Sequence, residues 1–314
     1  MKFISLLMLV AWCSIHVPVN GQTKTQDKVI WDDFNYTGYN DKVAADFGWR
    51  FRNGLGWPGK DGIWSEKQIA FLNDSVDAGN RIMRFTNYTN GVKGDSTVQC
   101  QASKQPAVCK YGTYASRVRF RSTASSGPNV LSDQLTQTFY MIVGIEGTYY
   151  EPYLPDSLKK FHARVEPHSE MDFEYLPHGG WNHPSTPPTM TNTSWAPEML
   201  NKANPGNYDG WHVLVLVMDS LNATYYCDGK VLFTHNGHIP ALEMSLNYNQ
   251  WFIELGTPGP KRTYVEDIDW VLYAKNKYLS FSDVNNLAKE FRLKGIKRLD
   301  SDLQGGFIKK QAKL

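Results

Sequence analysis

Cysteine is scarce in this chain of 314 residues, with four in all, and no apolar stretch approaches the roughly 20 residues that a membrane-spanning helix needs. The first scarcity excludes a small disulfide-knit scaffold, and the second excludes a polytopic membrane protein. Net charge is almost absent too, since 33 Lys and Arg face 31 Asp and Glu. No nucleic-acid partner is expected, because displacing phosphate counterions takes a cationic face. Helical periodicity is weak from residue 28 to 275, and neither an internal repeat nor a low-complexity tract stands out. Collagen and coiled coil are thereby excluded. What the chain has in quantity is 25 Gly, 16 Pro, 17 Tyr and 10 Trp within a 41% hydrophobic composition. That balance fits a folded, turn-rich β protein and is too apolar for a disordered one.

The N-terminus reads as an address. Lys2 precedes an apolar run of about ten residues from Phe3 to Trp12, and Val19-Asn20-Gly21 offers a cleavage site, so residues 1–21 are expected to be a secretory signal peptide. The mature protein is then secreted, extracellular or periplasmic, with no membrane span. Bulky Trp12 before Cys13 argues against a lipid anchor. Loss of Cys13 leaves Cys100, Cys109 and Cys227. The two near neighbours, Cys100 and Cys109, are expected to form one disulfide in an oxidising compartment, contributing roughly 2–3 kcal/mol in the chain-entropy view. Cys227, within the strand-like Thr224-Tyr225-Tyr226-Cys227, is expected to be an inert buried thiol.

β-Branched and aromatic runs separated by Gly, Pro, Asn and Asp dominate residues 28–275 and predict strands, among them Arg81 to Phe85, Tyr114 to Phe120, Thr138 to Ile145 and Trp211 to Met218. Asp228-Gly229 between Ala223–Cys227 and Lys230–Thr234 predicts a two-residue hairpin. The segment from Pro177 to Pro205 holds six prolines and is expected to be mostly loop, with one short strand near Thr191 to Trp195. The organisation expected is a domain over residues 22–280 and a basic tail over 281–314. In that tail Ser282-Asp283 would cap a helix whose apolar positions Val284, Leu287, Ala288 and Phe291 pack on the back of a sandwich.

Gly54-Leu55-Gly56-Trp57-Pro58-Gly59-Lys60 satisfies two glycine-rich nucleotide patterns formally. Neither fits, because Pro58 and Gly62 prevent the helix such a loop must open, and Asp61 stands where a phosphate loop needs Ser or Thr. No nucleotide partner is expected. His178 and His183 lack a third nearby ligand, and no GxSxG is present, so zinc and serine-hydrolase readings are weak.

The informative stretch is Ser169-Glu170-Met171-Asp172-Phe173-Glu174-Tyr175-Leu176, in which acids alternate with apolar residues. On a strand, Glu170, Asp172 and Glu174 share one face over about 13 Å, while Met171, Phe173 and Tyr175 enter the core. Two long Glu side chains leaning over a shorter Asp can bring their carboxyls to about 5–5.5 Å, the separation retaining glycosidases use. Three crowded anions do not all ionise near neutral pH, so one keeps a proton. A solvated acidic face and a calcium-binding acidic row are the competing readings, and spacing alone leaves them open.

Glu-x-Asp-x-Glu on a strand resembles the signature of glycoside hydrolase family 16. Four further segments are similar to that family in the same order: Lys28 to Asn35 as the opening strand, Tyr111-Gly112 to Arg117, Gly210-Trp211-His212-Val213 through Tyr225 to Lys230, and Ile268 to Tyr273 as the closing strand. The resemblance spans about residues 28–275. It implies an all-β fold, a β-jelly-roll sandwich of two antiparallel sheets of the concanavalin-like type with a short C-terminal helix. It also implies Glu170 as nucleophile, Asp172 as its assistant and Glu174 as acid/base. The spacing of the acids looks more like the lichenase or xyloglucan-active pattern than the laminarinase one. Phe139-Tyr140-Met141 departs from the family's Phe-Trp-Leu, which puts Tyr140 in the place of a sugar-stacking Trp.

The function expected is a secreted, endo-acting, retaining hydrolase of internal β-linkages in a polysaccharide of glucan or galactan type. The alternative is a glycan-binding protein or a transglycosylase on the same fold. Glycan clefts use aromatic platforms, and the substrate-binding candidates are Trp57, Trp64, Trp181 and Trp195 in loop contexts, with Tyr140 and His212. No cofactor is required. A structural calcium ion is the family's possible addition, with Asp269 as its candidate ligand. Sequons at Asn35, Asn73, Asn87, Asn192 and Asn222 are potential glycan acceptors.

Overall fold

The computed structural model describes residues 28–301 except 57, 60–61, 76–78, 144–167, 182–186 and 197. Strands follow one another as β1 (Val29–Asp32), β2 (Trp49–Phe51), β3 (Gly62–Trp64), β4 (Ile69–Asn73), β5 (Arg81–Thr89), β6 (Gly94–Cys109) and β7 (Gly112–Phe120). Then come β8 (Gln134–Val143), β9 (Ser169–Leu176), β10 (Thr189–Trp195), β11 (Met199–Pro205) and β12 (Gly210–Met218). β13 (Asn222–Cys227), β14 (Lys230–Asn236), β15 (Met244–Glu254), β16 (Arg262–Lys275) and β17 (Arg298–Asp300) complete them. Among the described residues two α-helices accompany the strands, α1 (Lys42–Phe47) and α2 (Phe281–Leu293).

The strands form two antiparallel layers. One is ordered β11-β10-β9-β8-β15-β6-β2. The other runs β14-β13-β12-β7-β16, with β5 and β1 sharing the far edge of the long β16, β4 beyond β5 and β17 beyond β1. β6 joins the layers, pairing near its start with β3 and β5 and further along with β15 and β2. The expected jelly-roll sandwich is the observed architecture.

Alternation decides which residues fill the space between the layers. Met171, Phe173, Phe139, Met141, Leu246 and Tyr248 enter from the first layer, and Tyr114, Val118, Leu214, Leu216 and Ile268 from the second. Each such side chain contributes about 1.5–3 kcal/mol on burial. The Asp228-Gly229 hairpin forms as expected, with both residues at positive φ, 50° and 79°.

A second apolar cluster lies outside the sandwich. Trp31, Val213, Val215, Trp270 and Leu272 on the back of the second layer meet Val284, Ala288 and Phe291 of α2. The helix packs as its spacing predicted. Its cap is Ser280, not Ser282: the Ser280 hydroxyl accepts from the Asp283 amide while the Asp283 carboxylate accepts from the Ser280 amide, a capping box.

Three expectations are corrected here. Cys100 and Cys109 are free thiols. Both lie on β6, opposite Gln250 and Met244 of β15, and those partners six residues apart at ~3.3 Å per residue hold them about 20 Å apart, far beyond the reach of a disulfide. Where it is described, the Pro-rich segment is a hairpin rather than mostly loop, because Pro187 and Pro188 precede β10 and Pro205 ends the edge strand β11. Asn87 and Asn192 are fully buried, so their sequons are closed to glycan in the folded protein.

Candidate active site

β9 lies between β8 and β10, and its outward face carries the acidic row. Residues directly opposite in an antiparallel pair project from the same face. Register therefore surrounds Glu170 with Trp195 and Ile142, Asp172 with Thr193 and Tyr140, and Glu174 with Thr191 and Thr138. β15 extends the surface with Ser245, Asn247 and Asn249 beside Ile142, Tyr140 and Thr138. Met171, Phe173 and Tyr175 are fully buried on the other side, which fixes the direction in which the acids point.

Among the described residues no Lys or Arg is ion-paired with any of these acids; the charged-capable neighbour is His168, whose Nε2 lies 3.3 Å from Glu170 Oε2. Burial first, then repulsion from Glu170 and Glu174, raises Asp172 well above the usual carboxylate range, and a hydrogen bond to Glu170 acts in the same direction. A protonated Asp172 is thus the donor to Glu170. Burial first and Glu170 second push Glu174 up to about 8. Near neutral pH the trio retains a proton while exposing an acceptor.

The aromatic candidates divide. Trp195 stands opposite Glu170, with the His168 ring 5.9 Å from its own. Trp181 is partly exposed at positive φ and meets Trp251 edge-on at 5.5 Å. Trp251 pairs with Thr136 on the same outward face, past the Glu174 end of the row. Tyr140 forms floor rather than a projecting platform: it is 5% exposed, and its hydroxyl accepts from Gln101 Nε2 at 3.0 Å. Gln101 is in turn held by Arg52 Nη1 at 2.9 Å. Trp57 lies outside the described residues.

Three candidates are corrected. Trp64 is fully buried, its indole N–H donating to the Gly56 and Pro58 carbonyls, so it anchors the glycine-rich loop from beneath and offers no platform. The glycines there serve packing: a Cβ on Gly59 would meet Gln99 Nε2 at 2.3 Å. His212 belongs to β12 in the other layer, its Nδ1 2.7 Å from Asp228 and its Nε2 3.1 Å from the Tyr208 carbonyl oxygen. Asp269 does not fit a calcium ion. It sits at a bulge of β16 where register shifts between Ile268 and Trp270, which turns it toward α2. There Oδ2 accepts from Arg117 at 2.6 Å, and Oδ1 from Arg292 at 2.6 Å and Asn80 at 2.5 Å.

Residues not singled out from sequence also line the face: His168, Asn247, Asn249 and Trp251. The last three alternate with Leu246, Tyr248 and Gln250 along β15, so period-two reading of Met244 to Glu254 carries the signal that finds them.

No protein-family model matches the chain, and no curated protein matches it by sequence. Solved structures do. The chain is similar to the β-glucanase of Bacillus licheniformis at 11% identity and a TM-score of 0.54, over 79% of this chain and 98% of that one. A glycoside hydrolase family 16 endo-glucanase from Bacteroides ovatus, solved with G4G3G-2F-DNP, matches at 12% identity and a TM-score of 0.54, over 77% and 99%. The laminarinase catalytic domain from Thermotoga maritima MSB8 matches at 13% identity and a TM-score of 0.51, over 78% and 96%. The protein has the β-jelly-roll fold of the family 16 glucanases and laminarinases.

Proposed function

We propose that the protein is an endo-acting, retaining glycoside hydrolase that cleaves internal β-linkages of a polysaccharide, exported by the apolar segment at its N-terminus. One observation carries the reading: three carboxyl groups share the outward face of a strand inside the sheet, crowded against one another and, among the described residues, unpaired by lysine or arginine. Such an arrangement costs stability and has a use in chemistry. Glu174, protonated up to about pH 8, donates its proton to the departing glycosidic oxygen as Glu170 attacks the anomeric carbon. A glycosyl ester on Glu170 results. Glu174, now a carboxylate, takes a proton from water, which attacks the ester and returns Glu170 with retained configuration. Asp172 donates its hydrogen bond to Glu170, restraining the rotamer of the nucleophile and moderating its basicity as charge shifts. Trp195 at one end of the row and the Trp181–Trp251 pair at the other supply faces for sugar C–H surfaces. The fold's relation to glucanases supports a β-glucan over a galactan.

The test is Glu170→Gln assayed on a panel of β-glucans and galactans for reducing ends, with product anomers followed by NMR. Loss of turnover with glycan binding retained, and β product first from the wild type, is the outcome expected. Equal behaviour of the two proteins would assign a glycan-binding function. Sugar transfer to added oligosaccharide in place of hydrolysis would assign a transglycosylase.

A further inference from the structure

At the turn of the β13–β14 hairpin, in the layer away from the acidic row, three side chains converge that the hydrolytic reading does not use. His212, Cys227 and Asp228 bring one donor atom each within 4.8 Å of one another. Cys, His and Asp suggest a nucleophile with its base, yet in that arrangement thiol and acid stand at opposite ring nitrogens. Here both stand at the same one. Cys227 Sγ is 3.6 Å and Asp228 Oδ2 2.7 Å from His212 Nδ1, and Sγ lies 3.9 Å from Oδ2. Convergence on one nitrogen is the geometry of a chelate.

The other ring nitrogen supports that reading. His212 Nε2 faces the Tyr208 carbonyl oxygen at 3.1 Å, the kind of backbone contact that fixes the tautomer of a metal-bound histidine and turns the Nδ1 lone pair toward the ion. Asp228 is similarly held, since its Oδ1 accepts from the Val213 amide at 2.9 Å, leaving Oδ2 for the shared centre. Bonds of about 2.0–2.3 Å at tetrahedral angles place nitrogen, oxygen and sulfur donors roughly 3.3–3.6 Å apart, a spacing the observed triangle reaches with sub-ångström movement. Asp228 is about half exposed, so water has access to a fourth position.

We propose that His212, Cys227 and Asp228 bind a zinc-class divalent cation that clamps β12 to the β13–β14 hairpin. Imidazole and thiolate suit zinc, whereas calcium takes six to eight oxygens, about twice what this site supplies. On binding, the ion replaces the proton at Nδ1, the Cys227 thiol proton also leaves to solvent, and no electron is transferred.

The mature full-length protein, freed of metal and kept reduced, would be titrated with Co2+ as a spectroscopic stand-in for zinc. Expected is a thiolate-to-cobalt charge-transfer band saturating at one equivalent, abolished by excess Zn2+, absent from Cys227→Ser, and requiring at least tenfold more Co2+ in His212→Ala. Absence of the band from the wild type, or its persistence in Cys227→Ser, overturns the proposal. If the variants do not fold, the melting temperature of the wild type decides: a rise saturating near one equivalent of Zn2+ supports the site, and an unchanged value overturns it. Glycan hydrolysis enters none of these readouts.

Discussion

Carboxylates line strands on the outward faces of both layers, but their company differs. On the back of the second layer each buried acid meets a guanidinium: Asp267 with Arg84, Asp269 with Arg117 and Arg292, and Asp33 with Arg292. On the front of the first layer Glu170, Asp172 and Glu174 meet mainly one another. The back spends its charge on holding α2 against the sandwich; the front relieves its crowding over a stretch of about 13 Å by keeping protons. Neighbouring cations, more than residue type or burial, separate a structural carboxylate from a reactive one.

The contrast breaks most visibly at its extremes. On the front, Glu170→Gln is expected to lower kcat by at least about a thousandfold while leaving the melting temperature within a few degrees of wild type, because removing a mutually repelled anion costs the fold little. On the back, Arg292→Met is expected to cost roughly 3–5 kcal/mol in urea unfolding, since it removes the guanidinium on the buried carboxylate of Asp33 and one of the two on Asp269. If Glu170→Gln destabilised as strongly as Arg292→Met, the acidic row would be structural after all.

Glu174→Gln sharpens the contrast by pH. The native carboxyl holds its proton to about pH 8, against an ordinary value of 4.5. Between those values the unfolded chain releases a proton that the native state keeps, so stability falls as pH rises through this window and is fully present below it. The Gln variant lacks the penalty. Near pH 8 it should be more stable than wild type by roughly 1–3 kcal/mol, a figure discounted for the partial exposure of the group, and the difference should vanish near pH 4. The same variant should lose the alkaline limb of the rate profile, which otherwise reports the coupled trio.

The acidic row was legible because strand periodicity is local: eight residues, Ser169 to Leu176, assign three side chains to one face and the others to the core. The hairpin at Asp228-Gly229 and the inner face of α2 were legible for the same reason. What was not legible depended on partners distant in sequence. Asp269 looked like a free oxygen ligand because Arg117 and Arg292 reach it from other elements. Cys100 and Cys109 looked close because eight intervening residues suggest a loop, whereas one long strand carries them apart. Trp64 bore the right chemistry but lies buried beneath its own loop, and His212 bore it in the other layer. Prolines misled at residues 177–205 because they bound the strands there more than they interrupt them.

The smallest effect concerns His168, the one neighbour that gives the front a partial likeness to the back. Its Nε2 is 3.3 Å from Glu170, and its ring is 5.9 Å from that of Trp195. An imidazolium there would stabilise the Glu170 carboxylate and so blunt its nucleophilicity, while a neutral imidazole would only orient it. His168→Gln keeps a donor of similar reach without the charge. The variant is therefore expected to differ from wild type by about two- to tenfold in kcat. An unchanged kcat would leave His168 no part in setting the nucleophile. In contrast, His168→Arg would import the logic of the back face, fixing a guanidinium against the nucleophile. It is expected to stabilise the fold slightly while costing more activity than Gln, a combination that a purely steric role for the residue would not produce.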